Sequence, residues 1–180
     1  LRTGVGYLAV AGTAVIWANV AAQVVSRIGV KPVLIFGMST LTLGLLYFTQ
    51  VSVDGSYWAD LCPGFLSRGV AIPFAFVPIT IAALAGTEPQ EAGLASGLVN
   101  TTQQIGGAVG IAILSTIAVS TTDDAVADGT AVPTALTDGF VNAFWAGAAI
   151  AFVGVLVSIF MVRGRDLQPQ EATEPALETA

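Results

Sequence analysis

The 180-residue chain is 54% hydrophobic and only 10% charged, against about 25% charged in an ordinary soluble domain. A soluble globular protein of this composition would lack polar surface to show to water, so lipid is read as its solvent. A formal net charge of −6, one cysteine (Cys62), no histidine and no basic stripe also argue against nucleic-acid binding, an intramolecular disulfide and the commonest metal and general-base chemistry.

A helical span of the bilayer takes roughly 20 mostly apolar residues, and five segments meet that requirement. The first covers 4–25, where Trp17, Asn19 and Gln23 share an expected inward face, with interface anchoring the equal alternative for Trp17 as for Trp58 and Trp145. The second covers 33–50. The third, 57–85, contains Pro63, Pro73, Pro78 and an internal cation, Arg68. The fourth, 92–120, is rich in Gly, Ser and Thr. The fifth covers 140–162 and carries Asn142 and Trp145 near one end. Each segment is apolar on all faces, whereas barrel strands are short and alternate. The expected fold is therefore all-α, a polytopic membrane bundle over 1–163. The polar remainder, 164–180, carries Pro169 and Pro175 and is expected to be a disordered tail. The chain opens directly into a span without a starting Met, so it is read as part of a longer protein.

Charge placement predicts an orientation. Arg27 and Lys31 lie in the first connection, 26–32, and Arg163 and Arg165 follow the fifth span. With four crossings between them, these basic sites fall on one side, the cytoplasmic one by the positive-inside rule. The polar turn 86–91 joins them there. Asp54, Asp60, Asp123, Asp124, Asp128 and Asp138 fall on the other side, the last four in a loop expected over 121–139. The C-terminus is thus expected in the cytoplasm.

Polar groups inside a membrane are costly and usually face a protein interior or a water-filled path. Asn100, Thr101, Thr102, Gln103 and Gln104 cluster on the fourth span. Ser96, Asn100, Gln103 or Gln104, and Gly107 share a face at helical spacing. Asn100, Gln103, Gln104, Asn19 and Arg68 are the candidates for a substrate path; interhelical hydrogen bonding is the alternative role for the amides. Arg68 needs a carboxylate or carbonyl partner, or must reach toward the outer interface. Gly93, Gly97, Gly106, Gly107 and Gly110 have the small-xxx-small spacing that lets a second helix approach closely. No catalytic constellation, metal site or cofactor loop is present in the sequence.

Residues 22–31 (AQVVSRIGVK), followed by Pro32, resemble the loop motif of the major facilitator superfamily through Arg27, Gly29 and Lys31; Ala22 and Ser26 depart from its usual Gly and Asp. The third and fourth spans, PGFLSRGVAIPFAFVPITIAAL and EPQEAGLASGLVNTTQQIGGAVGIAI, are similar to the drug:proton antiporter family of the EmrB/QacA type. The resemblance runs nearly to Arg163 and implies the last five helices of a fourteen-helix transporter in the plasma membrane. It implies multidrug efflux and antibiotic resistance: export of small amphipathic, often cationic compounds, driven by protons, through alternating access. The partners it implies are a small-molecule substrate, protons, the bilayer and N-terminal helices outside this chain. The chain departs from that expectation in having no acidic residue deep in a span. An importer of the same superfamily, a non-transporting membrane scaffold and an intramembrane enzyme are the other readings, the last disfavoured by the missing histidine and paired acids.

Overall fold

The computed structural model describes residues 2–50, 62–88 and 90–162. They form five α-helices with no strand among the described residues: α1 (Arg2–Ile28), α2 (Val30–Phe48), α3 (Cys62–Leu84), α4 (Ala92–Ala127) and α5 (Val132–Phe160). In α2, α4, α5 and Ser67–Leu84 of α3 the helix is long and apolar enough to cross a membrane; α1 contributes a shorter apolar stretch, Ala14–Ile28.

Two connections differ from expectation. The basic loop over 26–32 contracts to one residue, Gly29, at φ 87°, a backbone region that glycine enters without steric cost. The Gly29 N–H donates to the Val25 carbonyl at 2.9 Å. Pro32 falls in the first turn of α2, where its missing N–H has no helical partner to lose. Arg27 and Lys31 consequently sit on helix ends.

The acidic loop over 121–139 contracts to 128–131. Nothing in TTDDAVA stops a helix, so α4 runs on to Ala127. It ends in a Schellman motif: Gly129, at φ 86°, donates to the Val126 carbonyl at 3.0 Å, and Thr130 donates to Ala125 at 2.9 Å. Pro133 then lies in the first turn of α5. Asp123, Asp124 and Asp138 are therefore helical. Polar composition marks where the bilayer ends, but backbone hydrogen bonding does not stop there. The 36 residues of α4 extend about 54 Å at 1.5 Å per residue, well beyond a hydrocarbon core of about 30 Å. The expected start of the third span at 57, the connection over 51–56 and the tail over 164–180 lie outside the described residues.

Helix α2 is central, packing on α3 along one side and on α5 along another; α1 packs on α3, and α4 packs mainly on α5. Glycines set the closest approaches. A Cβ at Gly37 would overlap the Phe74 backbone, one at Gly44 would lie 2.6 Å from Ser67 Oγ, and one at Gly64 would strike the Phe48 ring. These contacts run in opposite order on the two helices, so α2 and α3 are antiparallel. On the α5 side, Phe48 stacks on Phe144 with ring centroids 5.2 Å apart, Leu45 meets Gly147, and Met38 meets Gly154, so α2 and α5 are antiparallel as well. The buried residues of α5 (Gly147, Ala148, Ala151, Val155, Ser158) follow the three-and-four spacing of a coiled-coil seam. Met38 and Leu45 on α2 and Gly147 and Gly154 on α5 repeat every seventh residue, which keeps the two helices in contact over successive turns.

The apolar core joins α1, α2 and α3 through Ala21, Val25, Val30, Val33 and Phe74. Trp17 and Phe36 flank the Phe74 ring at 6.0 and 5.3 Å. Pro73 and Pro78 of α3 are both buried. Buried hydroxyls are satisfied within their own helices: Thr42 donates to the Met38 carbonyl at 2.9 Å and Ser158 to that of Gly154 at 2.7 Å. No buried side-chain polar atom lacks a partner among the described residues.

Candidate functional site

Helix α4 carries the candidate residues and is the least covered element. It has no buried residue, and Leu94 and Leu98 are 79% and 67% exposed. Its anchorage is at the hairpin end. Thr122 Oγ1 donates to the Ala118 carbonyl at 2.8 Å and reaches the Ala135 carbonyl of α5 at 3.3 Å. Gly139 of α5 presses against Thr122 and Ala118, and Leu114 meets Gly147. The amide cluster lies on the opposite, N-terminal half of the helix.

Within that cluster the structure separates hydroxyls from amides. Thr101 donates to the Gly97 carbonyl and Thr102 to Leu98, each at 2.8 Å. Their hydrogen-bonding capacity is largely spent on their own helix. The side-chain amides of Asn100, Gln103 and Gln104 make no hydrogen bond among the described residues. Asn100 and Gln104 are exposed and Gln103 is half-buried. In lipid, an unsatisfied amide costs several kcal/mol by the apolar-transfer scale, so exposed, unbonded amides on a spanning helix need water, a ligand or another helix. Ser96, Asn100, Gln104 and Gly107 are exposed, as are Thr101, Thr102, Ile105 and Gly106 on the other faces.

The glycines of α4 behave unlike those of α2 and α5. A Cβ at Gly93, Gly97, Gly106, Gly107 or Gly110 would meet nothing within 4 Å. Among the described residues no helix uses their smooth surface; the close approaches fall instead at Gly37, Gly44, Gly64, Gly139 and Gly154, with Gly147 in ordinary contact. The heptad spacing of Gly37 with Gly44, and of Gly147 with Gly154, was the sequence signal for these contacts.

The remaining candidates stand apart from α4. Asn19 is exposed on α1, its Nδ2 donating to the Val15 carbonyl at 3.1 Å. Arg27 and Lys31 flank Gly29 at the α1–α2 corner, Arg27 exposed and Lys31 half-buried. Arg68 is exposed on α3. It follows Ser67, which packs on Gly44, and so lies about 6 Å, one helical turn, short of the level at which α2 ends at Phe48. That depth is near an interface rather than the bilayer centre. Among the described residues no hydrogen bond or ion pair joins Asn19, Arg68 and the α4 amides, and no group of His, Cys, Asp or Glu could hold a metal ion.

Apolar helices of spanning length, packed through glycine seams with locally satisfied hydroxyls, define a multi-pass α-helical membrane protein. No protein-family model matches the chain. It is 32% identical over 158 residues to the puromycin resistance protein pur8 of Streptomyces alboniger, covering 86% of this chain and 31% of that protein. It is 30% identical over 92 residues to the cephamycin export protein CmcT of Amycolatopsis lactamdurans, covering 51% of this chain and 19% of the relative. It is 29% identical over 123 residues to the MFS-type transporter EfpA of Mycobacterium tuberculosis, covering 68% and 23%. The chain is thus a homologue of major facilitator drug-resistance transporters, and it spans about a third or less of the length of each of these relatives.

Proposed function

We propose that the protein is a secondary transporter that exports drugs or other small amphipathic molecules in exchange for protons, by alternating access between two helical bundles. The observation that carries this reading is the similarity to the puromycin resistance protein over 86% of the chain, supported by the name of the cephamycin export protein. The open amides of Asn100 and Gln104 suit a path for such molecules, because neutral hydrogen-bonding groups beside aliphatic side chains accept varied amphipathic cargo. Asn19, Gln103 and Arg68 are secondary candidates on the same reasoning. Transport of this kind requires no covalent chemistry of the chain, so the reading is a carrier and not an enzyme.

Proton coupling needs a titratable group in the path. The carboxylates of the described helices, Asp123, Asp124 and Asp138, lie toward the ends that form the α4–α5 hairpin, and Glu88 and Glu91 lie in the turn before α4. The coupling groups in this reading belong to helices of the transporter outside this chain. Those helices are also the proposed neighbours of Gly93, Gly97, Gly106, Gly107 and Gly110. The orientation in this reading has the basic α1–α2 corner, with Arg27, Gly29 and Lys31, and the C-terminus in the cytoplasm of a plasma-membrane protein. The antiparallel pairing of α2 with α5, which brings the Phe160 end of α5 beside the start of α2, supports this arrangement.

The test is efflux of lipophilic cationic dyes into everted vesicles carrying the full-length gene product. Movement that stops when a protonophore collapses the gradient supports proton-coupled export. Movement indifferent to the protonophore removes the coupling. No movement of any dye by inserted protein favours a narrow-substrate carrier or a scaffold.

A further inference from the structure

We propose that α3 hinges at Pro78 on a seat formed by Gly37 of α2, and that the arm beyond the hinge, 79–84 together with the N-terminal half of α4, swings relative to α2 during transport. The proposal deepens the transport reading and rests on it.

The backbone of α3 is the first argument. Pro73 and Pro78 lie inside the helix and carry no N–H, so the Gly69 and Phe74 carbonyls lose the donors four residues further on. Helices bend at such positions, and in a membrane a neighbouring helix must meet the freed groups. Gly37 does so for Phe74. A Cβ at Gly37 would lie 2.5 Å from the Phe74 oxygen, so the hydrogen that glycine carries in that direction faces the carbonyl. A Cα–H donor is weaker than an N–H. It serves the oxygen without fixing the angle of the helix.

The place where packing stops is the second. Up to the hinge α3 is held: Ala71, Pro73, Phe74, Ala75 and Pro78 are all buried, Pro78 completely. Beyond it, no described residue from 79 to 128 is buried by this chain, and Ile79 and Ile81 are each 37% exposed. The anchorage of α4, at Leu114 and Thr122, lies on its far half. The tip of α3 continues through the turn at Gly86, φ 80°, into the half of α4 that carries Asn100 and Gln104. A held part and a loose part thus meet at Pro78, and motion there carries the amides against the core of α1, α2 and α3.

The experiment is double electron–electron resonance on the full-length protein in nanodiscs. Spin labels are placed by Ala83→Cys in the arm and Phe160→Cys at the end of α5, both exposed positions, in a background free of other cysteines. A change of about 20° at the hinge displaces Ala83, about 7.5 Å further along at 1.5 Å per residue, by about 2.6 Å. Wild type is expected to shift its distance on that scale when tetraphenylphosphonium is added, and transport of the same cation is measured in parallel. Pro78→Ala restores the donor for Phe74. It should hold one narrow distance with and without the cation and transport it several-fold more slowly, with a melting temperature equal to wild type or higher. Pro78→Gly, which restores the donor but leaves the backbone loose, should fall between them. One fixed distance in wild type overturns the hinge; if the cation is still transported, the transport reading stands. A distance response without transport supports the hinge and removes the transport reading. Pro78→Ala that responds and transports like wild type overturns the hinge. So does Pro78→Ala that melts early with its distance response intact, which makes Pro78 a packing residue.

Discussion

Gly37 of α2 rests directly on the backbone of Phe74 in α3, with no room for a Cβ between them. This contact sits where α3 carries the internal prolines Pro73 and Pro78, and the Phe74 ring beside it is clasped by Trp17 and Phe36. Gly37→Leu should therefore force α2 and α3 apart. Overpacking of this kind costs about 1–3 kcal/mol, more than the gain of up to about 1 kcal/mol in helix propensity. The melting temperature of the purified protein in detergent should drop. Gly12→Ala, where a Cβ meets nothing within 4 Å, should leave it unchanged or raise it. Equal melting of wild type and Gly37→Leu would remove the contact from the account.

The α2–α5 register makes a sharper geometric prediction. With Cys62 replaced by Ser, Leu45→Cys paired with Gly147→Cys should cross-link efficiently with a short bifunctional thiol reagent. Leu45→Cys paired with Gly154→Cys should not, because Gly154 faces Met38, two turns away along the seam. Cross-linking of the second pair alone would mean a seven-residue slip.

Thr122 ties α4 to α5 by a hydroxyl shared between the Ala118 and Ala135 carbonyls. Thr122→Val preserves shape and removes the donor, at a cost of about 0.5–1.5 kcal/mol. Because the hairpin is the main anchorage of α4, the loss should show locally. Amide hydrogen exchange across 128–139 should quicken several-fold at the lower end of that energy range, with α2 and α3 unaffected.

The amides of α4 separate by exposure. Asn100→Ala combined with Gln104→Ala should lower dye efflux about thirtyfold, with each amide contributing near ~1 kcal/mol to cargo binding and melting temperature unchanged. Gln103→Ala, at a half-buried position, should shift stability more than efflux. If the double variant pumps normally but melts early, the amides are interhelical ties.

Gly97→Leu discriminates between a lipid-facing and a helix-facing surface on α4. Lipid accommodates a leucine freely. A helix seated on Gly93 and Gly97 would be displaced at a cost of about 1–3 kcal/mol, and efflux by the full-length protein should fall roughly tenfold at equal expression. Unchanged efflux and stability would place this face against lipid.

All five helices were legible as apolar segments, and four of them are long and apolar enough to cross a membrane, because 18 or more apolar residues have no other stable environment than lipid or a protein interior. The ends were less legible. At 26–32 and 121–139 the polar residues marked the membrane boundary, yet the helices continued through Lys31 and Pro32 and through Asp123 and Asp124. Of the candidate site, the cluster at 100–104 could be read from its chemistry. Its division into locally bonded threonines and open amides could not, since that depends on rotamers and on where α5 lies.

By itself the sequence determined that this protein lives in a bilayer, that its helices alternate, and which side of each connection is basic or acidic; these follow from transfer free energies, which are local and additive along the chain. Tertiary structure alone decided which glycines carry the packing. Gly97 and Gly37 are equally free of side chain, and spacing favoured Gly97. Only Gly37 meets another backbone, because close approach depends on the register and partner of two helices distant in sequence, which no single segment encodes.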